Sequence, residues 1–166
     1  MITLVLGGTR SGKSELAESL ADRTGPDVTY VATGRVTDGD MAARIAAHQA
    51  RRPSGWATVE AGADLPDVLA RLAGTVLVDS LGTWVAGLPD LDADGDALCL
   101  ALRSRAGDTI VVSEEVGMGV HPPTEVGRRF ADSLGHVNRQ VAAVADAALL
   151  VVAGRPLRLD PLPPPP

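Results

Sequence analysis

Eight consecutive residues near the amino end could hold a polyphosphate: Gly7, Gly8, Thr9, Arg10, Ser11, Gly12, Lys13 and Ser14. They satisfy G-x-x-x-x-G-K-[ST] in full. Gly7 and Gly12 let the backbone turn without a Cβ in the way, so amide N–H groups can point at phosphate oxygens. A helix starting at Lys13 would direct its positive end at the same anion. Lys13 would neutralise the β/γ oxygens, and Ser14 would ligate Mg²⁺. Arginine supplies fourteen of the fifteen basic residues, and Lys13 is the only lysine in the chain. The pattern implies binding of a nucleoside triphosphate without saying which reaction follows.

Such a site needs a second carboxylate at the end of another strand to hold the metal's water shell. Val76-Leu77-Val78-Asp79 supplies one, three apolar residues followed by an acid. Asp79 is therefore a metal candidate with Ser14, although a turn or helix-cap aspartate would look the same. Glu114 and Glu115, after Ile110-Val111-Val112-Ser113, compete for the role.

A third constellation surrounds His48. The spacing predicts a helix over 40–52, with Asp40 as its N-cap and Pro53 as its stop. Met41 and Ile45 make an apolar stripe that His48 adjoins. Arg44 lies four residues before His48, and Arg51 and Arg52 lie three and four after it. Three guanidiniums around one imidazole would disfavour its protonation and draw in a polyphosphate. A neutral imidazole beside a bound phosphate could act as a nucleophile. The same spacing equally describes an amphipathic helix with a solvated basic edge and an ordinary histidine. The other histidines, His121 and His136, show no metal-ligand spacing.

These residues need elements to position them. Apolar runs over 2–6, 28–32, 75–79, 109–113 and 149–152 read as strands buried on both faces, with a shorter sixth over 56–60. They alternate with helical patterns over 13–23, 40–52, 65–73, 94–105 and 125–147. The alternation predicts an α/β fold, a mostly parallel sheet with helices on both faces. In such sheets ligands bind at the carboxyl ends of the strands. Residues 1–160 are expected to form a single nucleotide-binding domain. Residues 161–166 are expected to be a proline-rich tail.

Composition excludes several functions. The formal net charge of −6 gives no sequence-independent grip on nucleic acid, and 2% aromatics leave little for base stacking. Cys99 is the one cysteine, so no intrachain disulfide forms, and its apolar neighbours suggest a core residue. The longest apolar stretch, 141–153, is too short to span a bilayer and contains Asp146. No secretory signal pattern is visible, and a soluble, cytoplasmic protein is expected.

Taken together, the motifs resemble the bifunctional adenosylcobinamide kinase / adenosylcobinamide-phosphate guanylyltransferase family of cobalamin biosynthesis. The likeness runs in order from Ile2 to about Leu159. The residues that carry it are Gly7–Ser14, Tyr30-Val31-Ala32-Thr33, Met41–Ile45 with His48, Arg52-Pro53, and Trp56–Glu60. Val78-Asp79, Glu115–Gly119 with Pro122, and Arg128, Phe130, Asp132, Gly135 and Asn138 complete them. The M-A-x-R-I-x-x-H-x-x-x-R-P-x-x-W and E-V-G-x-G segments are far more specific than the phosphate loop.

The resemblance implies a RecA-like P-loop NTPase fold, a homotrimer, and GTP and/or ATP as substrates with Mg²⁺. It implies phosphorylation of adenosylcobinamide, then transfer of GMP to adenosylcobinamide phosphate through a guanylyl group on His48. By the same match Lys13 and His48 are catalytic, and Gly7–Ser14 hold the triphosphate. Ala32, Thr33, Gly34, Gln49, Ala50, Arg51, Arg52, Glu60 and Asp79 correspond to guanine-nucleotide contacts. A carboxylate suits guanine because it accepts from both N1–H and the 2-amino group, and Glu60 is the candidate. The chain departs from the family pattern at Asp79, often glutamate, at Glu114, usually asparagine, at Ala131, a common arginine, and in a short Val85–Asp108 segment. Two other readings fit the phosphate loop alone. One is a small-molecule kinase without a transferase step, but Arg128 and Arg129 make a poor arginine lid. The other is a nucleotide-dependent regulatory switch, but with one lysine no N-K-x-D guanine motif exists.

Overall fold

The computed structural model describes residues 1–34 and 53–161. The helix expected over 40–52, with His48, Gln49, Ala50, Arg51 and Arg52, lies outside the described residues. So do residues 162–166 of the expected tail.

The elements in chain order are β1 (Ile2–Gly7), α1 (Lys13–Asp22), β2 (Val28–Ala32), β3 (Ala57–Glu60), α2 (Leu65–Arg71) and β4 (Thr75–Asp79). They continue with α3 (Leu81–Ala86), a 3₁₀ turn (Pro89–Leu91), α4 (Gly95–Ser104), β5 (Thr109–Glu114), α5 (Glu125–Val144), β6 (Ala147–Val152) and β7 (Arg155–Leu159). The seven described strands form one sheet in the order β3-β2-β4-β5-β1-β6-β7. Every pairing is parallel except β6 with β7.

The near-continuous apolar strands are explained by burial on two faces. Leu4, Val76, Val78 and Val111 point into a core with α2, α3, α4 and α5, around Leu65, Leu81, Leu98 and Leu134. Their neighbours Val5, Leu77, Ile110 and Val112 point the other way, onto Ala17 and Ala21 of α1. Alternate residues of one strand thus serve opposite layers, and helices cover both faces as expected. Cys99 is half-buried and packs against the larger core.

Three details differ from the pattern reading. The last long helix stops at Val144 rather than 147, because Ala145 turns extended and Ala147 already pairs with Thr3 of β1. Helix α3 was not expected: it has six residues and contains Gly82, too short for a periodic signal. Ser80 and Thr83 specify it through a reciprocal capping box. The antiparallel strand β7 was not expected either. Its turn, Ala153-Gly154, has φ of 51° and 74°, both positive as a tight hairpin turn requires, but Ala-Gly lacks the usual Asn-Gly signature. Pro156 is tolerated because β7 is the edge strand.

The α4–β5 turn depends on Gly107, at φ +107°. A Cβ there would overlap the Gly74 carbonyl. The Arg105 guanidinium donates to that same carbonyl at 2.8 Å and to the Leu72 carbonyl at 3.3 Å. Gly107→Ala is therefore expected to cost about 2–4 kcal/mol of stability, from strain and displaced backbone together. Urea unfolding checks this: the midpoint should fall while the slope stays unchanged.

Candidate functional site

The phosphate loop leaves the carboxyl end of β1 and enters α1. Gly7 is needed for space: a Cβ there would overlap Ser11 Oγ and approach the Val151 carbonyl to 2.9 Å. Gly12 is needed for conformation, with φ at +92°, and it caps α1. The Ser11 amide donates to the Gly8 carbonyl at 3.2 Å, and the Gly154 amide donates to the Ser11 carbonyl at 2.8 Å. The β6–β7 turn therefore braces the loop from outside, a support with no signal in the loop's own sequence. Helix α1 begins at Lys13, directly after the loop, so its positive end is the one nearest the loop.

Lys13 is nearly buried, its side chain 12% exposed. Its Nζ donates to the Gly8 carbonyl at 3.4 Å and lies 3.6 Å from Glu114 Oε1. The structure thus separates the two glutamates that the sequence left competing. Glu114 ends β5, opposite Gly7 in register, and faces the lysine. Glu115 spends its carboxylate on its own loop, accepting from the Gly117 amide at 2.7 Å and the Met118 amide at 3.1 Å.

Several groups fix Glu114. Ser80 Oγ lies 3.1 and 3.0 Å from its two carboxylate oxygens. Gly82 leaves room for it, since a Cβ there would overlap the carboxylate. Asn138 of α5 donates to the Glu114 carbonyl at 3.0 Å and accepts from Ser113 Oγ at 2.6 Å. Ser80, Gly82 and Glu114 form a unit that their sequence separation hid.

Of the other expected contacts, Ala32, Thr33, Gly34, Glu60 and Asp79 come together at the same edge, where β2, β3 and β4 end. Ala32 pairs with Asp79 on one side and with Glu60 on the other. Asp79 Oδ2 accepts from the Tyr30 hydroxyl at 2.7 Å, which fixes the carboxylate at the end of β4. Strand β5 lies between the Asp79 strand and the phosphate-loop strand. Thr33 is buried, and its hydroxyl bonds to the Ser80 carbonyl and to Thr83 Oγ1, both at 2.6 Å. Gly34 follows it, and a Cβ there would come into ordinary contact with Thr83. Glu60 is exposed at the end of β3. Ser14, Asp79 and Glu114 are hard oxygen donors of the kind Mg²⁺ takes beside nucleotide phosphates, so the donor set fits that ion.

Comparison with known proteins follows the same lines. The family model described as cobinamide kinase / cobinamide phosphate guanyltransferase matches residues 3–159. The chain is 40% identical to the bifunctional adenosylcobalamin biosynthesis protein CobP of Pseudomonas aeruginosa, over 96% of this chain and 97% of that one. It is 35% identical to the bifunctional adenosylcobalamin biosynthesis protein CobU of Escherichia coli, over 93% and 97%. Among solved structures it resembles a type III secretion system ATPase (TM-score 0.55, 12% identity), covering 90% of this chain and 50% of that one. It also resembles the assembled secretion ATPase EscN of enteropathogenic E. coli (TM-score 0.53, 12% identity), covering 92% and 43%. This chain spans about half the length of those ATPases, and the likeness shows the P-loop NTPase fold alone. The intact G-x-x-x-x-G-K-S loop and the match over residues 3–159 place the chain in the cobinamide kinase / cobinamide phosphate guanyltransferase family.

Proposed function

We propose that this protein uses one phosphate loop for two reactions on a corrinoid. In the kinase step the γ-phosphoryl of a nucleoside triphosphate passes to the aminopropanol hydroxyl of adenosylcobinamide. In the transferase step His48 attacks the α-phosphate of GTP, the bond to pyrophosphate breaks, and GMP remains on the imidazole. Adenosylcobinamide phosphate then displaces the histidine to give adenosylcobinamide-GDP. The observation that carries the reading is the nearly buried Lys13 beside Gly8 in an intact loop, within a chain that matches the family over residues 3–159.

Lys13 and the loop amides would orient and stabilise the phosphates. Glu60 would accept from the guanine edge, and Ala32, Thr33, Gly34, Gln49, Ala50, Arg51 and Arg52 would line the nucleotide. Ser14, with the Asp79 carboxylate held by Tyr30, would hold Mg²⁺. When bound, the ion would supply charge neutralisation to the phosphates. Among the described residues no helix is long and apolar enough to cross a membrane; a cytoplasmic location is part of the proposal. A 166-residue chain offers few walls for a corrinoid, so a cleft shared between subunits of a homotrimer is part of the proposal. Light scattering should give three times the chain mass at working concentration, and a monomer would count against it.

Following products tests the reading. With cobinamide and GTP, cobinamide phosphate should form first and its GDP derivative second, with pyrophosphate released only in the second step. Phosphorylation with no later guanylyl transfer would reduce the protein to a plain kinase.

A further inference from the structure

We propose that Glu114 makes the phosphate site selective for metal-loaded nucleotide, by cancelling the charge of Lys13 toward an uncomplexed triphosphate. This rests on the nucleotide-binding reading of the phosphate loop. Glu114 is not a loose surface acid. Ser80 Oγ lies within hydrogen-bond distance of both its oxygens, Asn138 fixes its backbone, and the missing side chain of Gly82 gives it room. So held, its carboxylate lies 3.6 Å from Lys13 Nζ. Lys13 and Glu114 then sum to zero formal charge where the phosphates must bind. Arg10, the other cation of the loop, is exposed, and Asp79 adds a second acid at the end of β4.

A free triphosphate brings several negative charges to this site, where the fixed carboxylate repels it and offsets the attraction of Lys13. Partial burial makes that repulsion stronger than it would be in water. A divalent cation carried by the phosphates reverses the sign, because the carboxylate then faces positive charge. Glu114 therefore sets a preference between two forms of the same nucleotide. Glu115 lacks this role, since its oxygens bond the Gly117 and Met118 amides.

The test is GTP binding to the full chain by calorimetry, in excess EDTA and in excess Mg²⁺. The readout is the ratio of the two dissociation constants. E114Q keeps the shape and an oxygen that can bond Ser80, and should lower that ratio by at least about tenfold, mainly through tighter metal-free binding. E114N should act in the same direction, and it decides the matter if E114Q does not fold by circular dichroism. E115Q should keep the parent ratio. A ratio within about twofold of the parent in the folded variant overturns the proposal, as does an equal fall in E115Q. Failure of the underlying reading looks different: the parent itself would not bind GTP with Mg²⁺ present.

Discussion

Replacing Lys13 with alanine is expected to weaken GTP binding by about 1.5–3 kcal/mol, roughly a ten- to 150-fold rise in dissociation constant. The side chain is 12% exposed and carries the only lysine charge in the chain, so no neighbouring lysine can replace it. Both chemical steps should fall together, because both draw on the same bound triphosphate. Removing Lys13 also leaves Glu114 without its cation, with Ser80 Oγ still within hydrogen-bond distance of both carboxylate oxygens. The variant should therefore lose more metal-free binding than metal-dependent binding. Calorimetry with and without Mg²⁺ measures both quantities. Parental affinity in the variant would remove the loop from the mechanism.

His48→Ala is expected to separate the two activities. Guanylyl transfer should fall by about 10³-fold or more, the scale seen when a covalent nucleophile is removed. Phosphoryl transfer to cobinamide should stay within about threefold of the parent, since that step needs the phosphate loop and no covalent histidine. Timed product assays with each substrate supplied separately give the two rates. Equal loss of both would mean that His48 serves binding or folding instead.

Much of this could be read from the residues because local rules and global fold agree. Strands β1, β2, β4 and β5 are largely apolar on both sides, so their burial in a parallel sheet follows from composition. The phosphate loop is legible because its conformation is local: Gly12 needs positive φ, and α1 begins at the next residue. What stayed hidden depends on contacts between distant positions. Ser80 and Glu114 are 34 residues apart, and Tyr30 and Asp79 are 49 apart. No periodicity announces either pair. The choice between Glu114 and Glu115 could not be made from two adjacent acids, because one faces Lys13 and the other folds back on its loop. The β6–β7 hairpin was missed because Ala153 takes a conformation usually given to asparagine or glycine. The His48 constellation remains a matter of sequence spacing and family match, since residues 35–52 are not among those described.

Covalent labelling tests the central claim most directly. The protein is mixed with Mg²⁺ and GTP labelled at either the α- or the γ-phosphate, then denatured and separated from free nucleotide. The account predicts label on the protein from α-labelled GTP and none from γ-labelled GTP. The bond should be a phosphoramidate, stable in mild base and hydrolysed in acid, and His48→Ala should carry no label. An unlabelled parent, or undiminished α-label on His48→Ala, would contradict it.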